Sequence, residues 1–157
     1  MRPGELQQLV NADDLERLFE VVTVEEIADA WWRCTLSGDE RFDHPDWWAI
    51  ELWLGTSIYE MKDHGRKVLR ALAERAPDGA DLGLLVGAGP VEDSIADDEE
   101  SLRWIENEAR RSDNYREALG KIWRHDLRPD AFLRIEAAAG TDLSWPKFGH
   151  GPRPTRS

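Results

Sequence analysis

The sequence predicts an all-α fold, a compact multi-helix domain of short antiparallel helix pairs resembling the units of helical-repeat proteins. Three observations predict it. Apolar residues recur at i, i+3, i+4 and i+7 along nearly the whole chain, the spacing that puts them on one face of a helix. Capping residues, prolines and glycines stand between these runs and start and stop helices. No run of alternating apolar and polar residues lies between hairpin turns, as strand pairs require. No fixed sequence period accompanies the pairs, so a true repeat array is not expected.

The elements follow in order. Leu15, Leu18, Phe19 and Val22 form a buried stripe, with Asn11 or Asp13 as the cap of its helix. Thr23-Val-Glu-Glu26 reads as a capping box, the Thr23 hydroxyl meeting an orphan amide while Glu26 reaches back. The helix it opens buries Val24, Ile27, Ala28 and Trp31 and ends near Ser37-Gly38. Pro45 suits the first turn of a helix over 45–60, with His44 or Asp43 before it. That helix is apolar on more than half its circumference, which places it centrally. Leu69, Leu72, Ala73 and Ala76 mark another, stopped by Pro77-Asp-Gly79.

Leu82 to Val86 forms a short apolar helix or strand, broken by Gly87-Ala-Gly89-Pro90. Gly87 is expected to end it in a left-handed conformation. Gly89 then caps the next helix, Pro90 takes its first position, and Glu92 suits its positive dipole end. Ile95, Leu102, Ile105 and Ala109 line a stripe over 95–111, with room for an interruption near Asp97. Asp113 is the expected cap of a helix carrying Tyr115, Ala118, Leu119, Ile122 and Trp123. Pro129 opens the last helix, with Phe132, Ile135 and Ala139 inward and Gly140 at its end.

A length of 157 residues fits one domain, expected over 1–142, followed by a flexible, basic, Pro- and Gly-rich tail over 143–157. The chain carries a net charge of −12. All 32 acids and 17 of the 20 bases precede residue 143, so the body carries −15 and the tail +3. Such a body repels phosphate backbones and anionic lipid, which excludes nucleic acid and membrane surfaces as partners and favours a basic protein. Cys34 is the single cysteine, so no internal disulfide forms, in keeping with a reducing compartment. Met1 to Glu20 has no apolar signal region, and no apolar run approaches the length of a membrane span. The expected location is the cytoplasm.

Several residues break the helical pattern. On a wheel drawn at about 100° per residue, Trp47, Leu54 and Ile58 centre the apolar arc of the 45–60 helix. Glu51 falls inside that arc and Trp53 on the opposite, polar side. A carboxylate facing the core must be paired, hydrogen-bonded or protonated. Trp104 lies on the far side of its helix from Leu102, alongside Glu108 and Arg111. Trp53 and Trp104 are therefore either covered by the tail or a neighbouring loop or exposed aromatic anchors, the residue type enriched at binding hot spots. The acidic run Asp97-Asp98-Glu99-Glu100 lacks the spacing and glycine of a calcium loop and reads as solvated surface.

Catalytic motifs are sparse. The Gly87–Asp93 turn lacks the Lys, Ser or Thr of a phosphate loop, and Glu92 and Asp93 would repel a phosphate there. His44-Pro-Asp46, Asp63-His64 and His125-Asp126 are the pair types that supply metal ligands in helical phosphohydrolases of the His-Asp kind. Nothing in the sequence shows that the three converge, so neither a metal nor a cofactor is expected.

Trp47-Trp-Ala-Ile-Glu51, the Gly87-Ala-Gly-Pro-Val-Glu-Asp93 turn, and Asn114-Tyr-Arg-Glu-Ala-Leu119 with Trp123 together resemble one uncharacterised bacterial family. It is a small α-helical domain of unknown function marked by a Gly-Pro-aliphatic-Glu-Asp turn, and the resemblance covers roughly residues 23–125. It implies a helical domain and assigns no activity, cofactor or catalytic residue. The family's recurrent acids map onto Glu51, Glu92 and Asp93, compatible with a polar site beside the central turn.

The functional expectation is a non-enzymatic cytoplasmic factor, immunity-type or regulatory, that binds a basic protein. Trp53 and Trp104 would anchor the partner, and Asp97, Asp98, Glu99 and Glu100 would steer it. Two alternatives stand beside it. One is a metal-assisted hydrolase using Glu51, Glu92 or Asp93 with His44, His64 or His125. The other is a structural subunit of a larger assembly, including a homo-oligomer.

Overall fold

Residues 1–123, 126–143, 153 and 155 are described by the structure, a computed structural model, with Asp39 described by its backbone alone. Most of the expected tail and His125 lie outside the described residues; Leu143, at the start of that tail, is buried. The described elements are all helical, and no strand occurs among them. They group into two units, Met1–Asp78 and Gly79–Ser157, which divide at the Pro77-Asp-Gly79 turn.

The first unit holds five helices: α1 (Pro3–Asn11), α2 (Leu15–Val21), α3 (Val24–Thr35), α4 (Trp47–Leu54) and α5 (Lys62–Glu74). α1 went unread in the sequence, although Pro3 stands at its first turn and Glu5 reaches back to the Arg2 amide at 2.8 Å. Leu6 and Val10 are its buried face. The cap of α2 is Asp14, whose carboxylate accepts from the Arg17 amide; Asp13 instead takes a left-handed backbone and accepts from the Ser57 amide at 2.9 Å. The Thr23–Glu26 capping box forms as expected, with bonds of 3.2 and 2.7 Å.

α3 is the hub of this unit, packing on α5, on α4 and on the 3-10 turn Gly38–Asp43. It buries Ile27, Ala28, Trp31, Trp32 and Cys34, and the Trp32 indole donates to the Leu72 carbonyl of α5 at 2.9 Å. Asp29 and Arg75 add a two-pronged ion pair at the rim, and Arg33 holds Asp46 at the start of α4 at 2.8 Å.

The predicted 45–60 helix is shorter than expected. Its regular turns run from Trp47 to Leu54 and stop at Gly55. The Thr56 hydroxyl donates back to the Leu52 carbonyl at 2.7 Å and accepts from the Ile58 amide, redirecting the chain. Ile58 is fully buried, but by the turn that follows α4 and not by α4 itself.

In the second unit a π-type segment (Gly83–Val91), bent at Ala88 and Gly89, runs into the short α6 (Glu92–Ser94). Then come α7 (Glu99–Arg111), α8 (Asp113–Leu119) and α9 (Pro129–Ala139). α7 packs on α8 and α9, α8 on α9, and the π segment on α8. α8 is capped by the Ser112 hydroxyl rather than by Asp113, which is its first residue. α9 opens at Pro129 and closes on Gly140 at a φ of 69°.

Gly87 does not adopt the expected left-handed conformation. It is required for a different reason: a Cβ there would lie 1.9 Å from the Ala118 carbonyl oxygen. The π segment and α8 meet backbone to backbone at this point. Gly87→Ala is therefore expected to destabilise the chain by about 2 kcal/mol or more, read as a lower urea midpoint at unchanged slope.

Candidate functional site

α4 is apolar on every side, so its own sequence does not say which face turns inward; its neighbours decide. Packing against α3 and α1 buries Trp48, Ala49, Leu52 and Trp53. Trp47, Ile50, Glu51 and Leu54, spaced i, i+3, i+4 and i+7, are left as the outward row. Leu54 is 68% exposed. Phe42, 62% exposed, extends the row from the 3-10 turn, its ring 4.8 Å from that of Trp47 and 5.0 Å from the Arg41 guanidinium. Glu51 sits in the row half-buried, its carboxylate accepting from the Gln7 amide at 2.6 Å.

This reverses the wheel. Trp53, read as facing outward, is only 4% exposed; its ring lies 5.8 Å from that of Tyr59, and its carbonyl accepts the Tyr59 hydroxyl. Of Trp47 and Leu54, read as the centre of the buried arc, Leu54 is exposed and Trp47 only half-buried. Ile58, the strongest marker of that arc, lies beyond the end of α4. Without it the remaining residues carry no directional preference.

The other predicted positions fall as follows. Trp104 is half-buried and meets Tyr115 edge-on at 5.5 Å, so it is part of the packing of the second unit and not an exposed anchor. The acidic run is largely engaged within the fold. Asp98 caps α7 through the Ser101 amide and hydroxyl, and the Asp97 carbonyl accepts from Arg128. Glu99 pairs with Arg134 and Arg103, which hold its carboxyl below the usual range; Glu106 is lowered chiefly by Arg134 as well. Glu100 is exposed. Glu92 accepts from the Trp123 amide, fixing α6 to the chain just beyond α8, and Asp93 is exposed.

The two described histidines, His44 and His64, have local roles. His44 Nδ1 accepts from the Asp46 amide at 3.1 Å, and the His64 ring lies 4.4 Å from Phe19. Among the described residues no group of three or more His, Cys, Asp and Glu is placed to hold a metal ion. Cys34 is enclosed, its sulfur within bonding distance of the Arg41 carbonyl, and burial pushes the thiol up.

Two buried carboxylates went unread. Glu108, 2% exposed, takes both prongs of Arg111 one turn on; that i, i+3 pair was visible in the sequence, though not its burial. Glu136, 1% exposed, accepts from the Leu143 amide and from Arg153, whose guanidinium lies over Phe132. Both of those partners come from residues beyond α9, and no spacing rule announces them.

The chain belongs to DUF6869, a family of unknown function whose model matches residues 36–143. The match takes in α4 with its outward row, the Gly87–Asp93 turn and the whole of α7 to α9. It confirms the resemblance to a helical family of unknown function and shifts its bounds, leaving α1, α2 and α3 outside. No curated protein and no solved structure matches the chain. No helix of the described residues is long and apolar enough to cross a membrane.

The Arg134 cluster sets an acid limit on the second unit. Glu99 and Glu106 have folded-state pKa values depressed below the unfolded one, so their contribution is complete above the unfolded Glu value of about 4.3 and is lost as pH falls further. Thermal melts of wild type and Arg134→Gln should differ most at neutral pH and converge as pH drops below about 4.

Proposed function

We propose that the chain is a non-enzymatic, cytoplasmic, bacterial protein-binding factor, immunity-type or regulatory, that docks a basic protein on the outward row of α4. The observation that carries this reading is the exposure of Phe42 and Leu54 in line with Trp47 around the Glu51 carboxylate. Large apolar side chains on one exposed helix face mark contact surfaces, and aromatic residues carry a disproportionate share of interface energy. A carboxylate held in place within such a row selects a cation on the partner, and a chain of net charge −12 steers a basic surface toward it.

The anchors are therefore Trp47 and Phe42, in place of Trp53 and Trp104. Asp97, Asp98 and Glu99 are held by the fold and contribute at most long-range steering, together with exposed Glu100.

The test is titration calorimetry of the purified chain with a basic protein captured on it from cell extract. Trp47→Ala is expected to weaken binding about 30-fold, corresponding to about 2 kcal/mol, with its helical circular dichroism retained. Glu51→Gln should weaken binding and flatten its dependence on salt. Equal affinity of wild type, Trp47→Ala and Leu54→Asp for that protein contradicts the reading, and so does the failure to retain any basic protein.

A further inference from the structure

In the other unit an open cleft of about 640 Å³ lies between α7, α8 and α9. Three guanidiniums line it, those of Arg110, Arg116 and Arg134, against a single carboxylate, Glu106. Its floor is the last turn of α9, with Ala137, Ala138 and Ala139. A net positive lining is unusual in a chain this acidic. The volume lies inside the range of small-molecule sites.

The three arginines are held differently. Arg134 is fixed: Glu106 takes its Nε and one terminal nitrogen at 2.8 and 2.9 Å, and Glu99 takes the other at 2.7 Å. Its charge is matched by two carboxylates, and it serves as a rigid wall. Arg116 pairs with Asp113 one turn before it through one nitrogen, and the Asp113 carboxylate is 86% exposed. Such a surface pair is weak and readily exchanged. Arg110 donates to the neutral amide oxygen of Asn107. Arg110 and Arg116 can therefore both turn their donors to a ligand.

We propose that this cleft binds a small phosphomonoester of mononucleotide size, gripped by Arg110 and Arg116 and seated on the alanine floor. Planar guanidinium forks match phosphate oxygens two at a time. Ala137, Ala138 and Ala139 offer the ligand body small apolar side chains with no competing polar groups. The negative carboxyl end of α9 reaches the same cleft at Gly140, so both guanidiniums are needed to hold the anion. A nucleic-acid polymer is a poor occupant, because a chain of net charge −12 repels its further phosphates.

The experiment is a titration of the full-length chain with AMP, adenosine and inorganic phosphate, followed by NMR at the arginine Nε–H groups and the backbone amides. AMP is expected to give saturable shifts at Arg110, Arg116 and residues 137–140. Inorganic phosphate should bind more weakly, and adenosine not at all. Arg110→Gln and Arg116→Gln should each weaken AMP about tenfold or more at unchanged melting temperature. The proposal is overturned by unsaturable shifts at millimolar AMP, by adenosine binding as well as AMP, or by variants that bind AMP as wild type does.

Discussion

The rotation of α4 about its own axis determines what the first unit presents to its surroundings. An eight-residue helix with seven apolar residues can bury only one side. The side chosen is the one that α3 and α1 can cover: two indoles, an alanine and a leucine. The choice has a cost, since the indole N–H groups of Trp48 and Trp53 are enclosed without an acceptor among the described residues, each worth about 1–3 kcal/mol. Burial of two of the largest side chains offsets it. What remains on the other side is half-buried Trp47 and Ile50 and exposed Leu54, with Glu51 tethered to α1 through Gln7.

Charge works differently in the second unit. The acids there are less a free negative surface than one half of a set of internal bonds. Asp98 caps α7, Glu99 and Glu106 clamp Arg134, Glu108 holds Arg111, and Glu136 closes on Leu143 and Arg153. A count of charges along the chain cannot separate acids with partners from acids without them. Here the distinction decides which surface can meet a partner and leaves an arginine-lined cleft inside an acidic protein.

The helices were legible wherever a local rule fixes them. The Thr23–Glu26 box, Pro129 at the head of α9 and Gly140 at its end all depend on residues within a turn of each other. The buried faces of α3, α7 and α9 followed because those helices have one apolar and one polar side. α4 has no such contrast, and its length depends on the Thr56 hydroxyl bonding back across Gly55, so both its end and its facing escaped the pattern. Gly87 was recognised as necessary for the wrong reason, since the carbonyl it accommodates lies 31 residues away at Ala118. The candidate site suffered from the same limits. Glu51, expected inside the apolar arc, lies half-buried in the outward row beside Gln7, while Trp53, the aromatic expected at solvent, belongs to the core.

The facing of α4 is tested most directly by the solvent exposure of its tryptophans. In 5-fluorotryptophan-labelled protein, with resonances assigned from Trp47→Phe and Trp53→Phe, a soluble gadolinium chelate should broaden the Trp47 fluorine signal strongly and leave that of Trp53 sharp. A broadened Trp53 signal beside a protected Trp47 would place the helix the other way round and remove the surface on which the proposed docking rests.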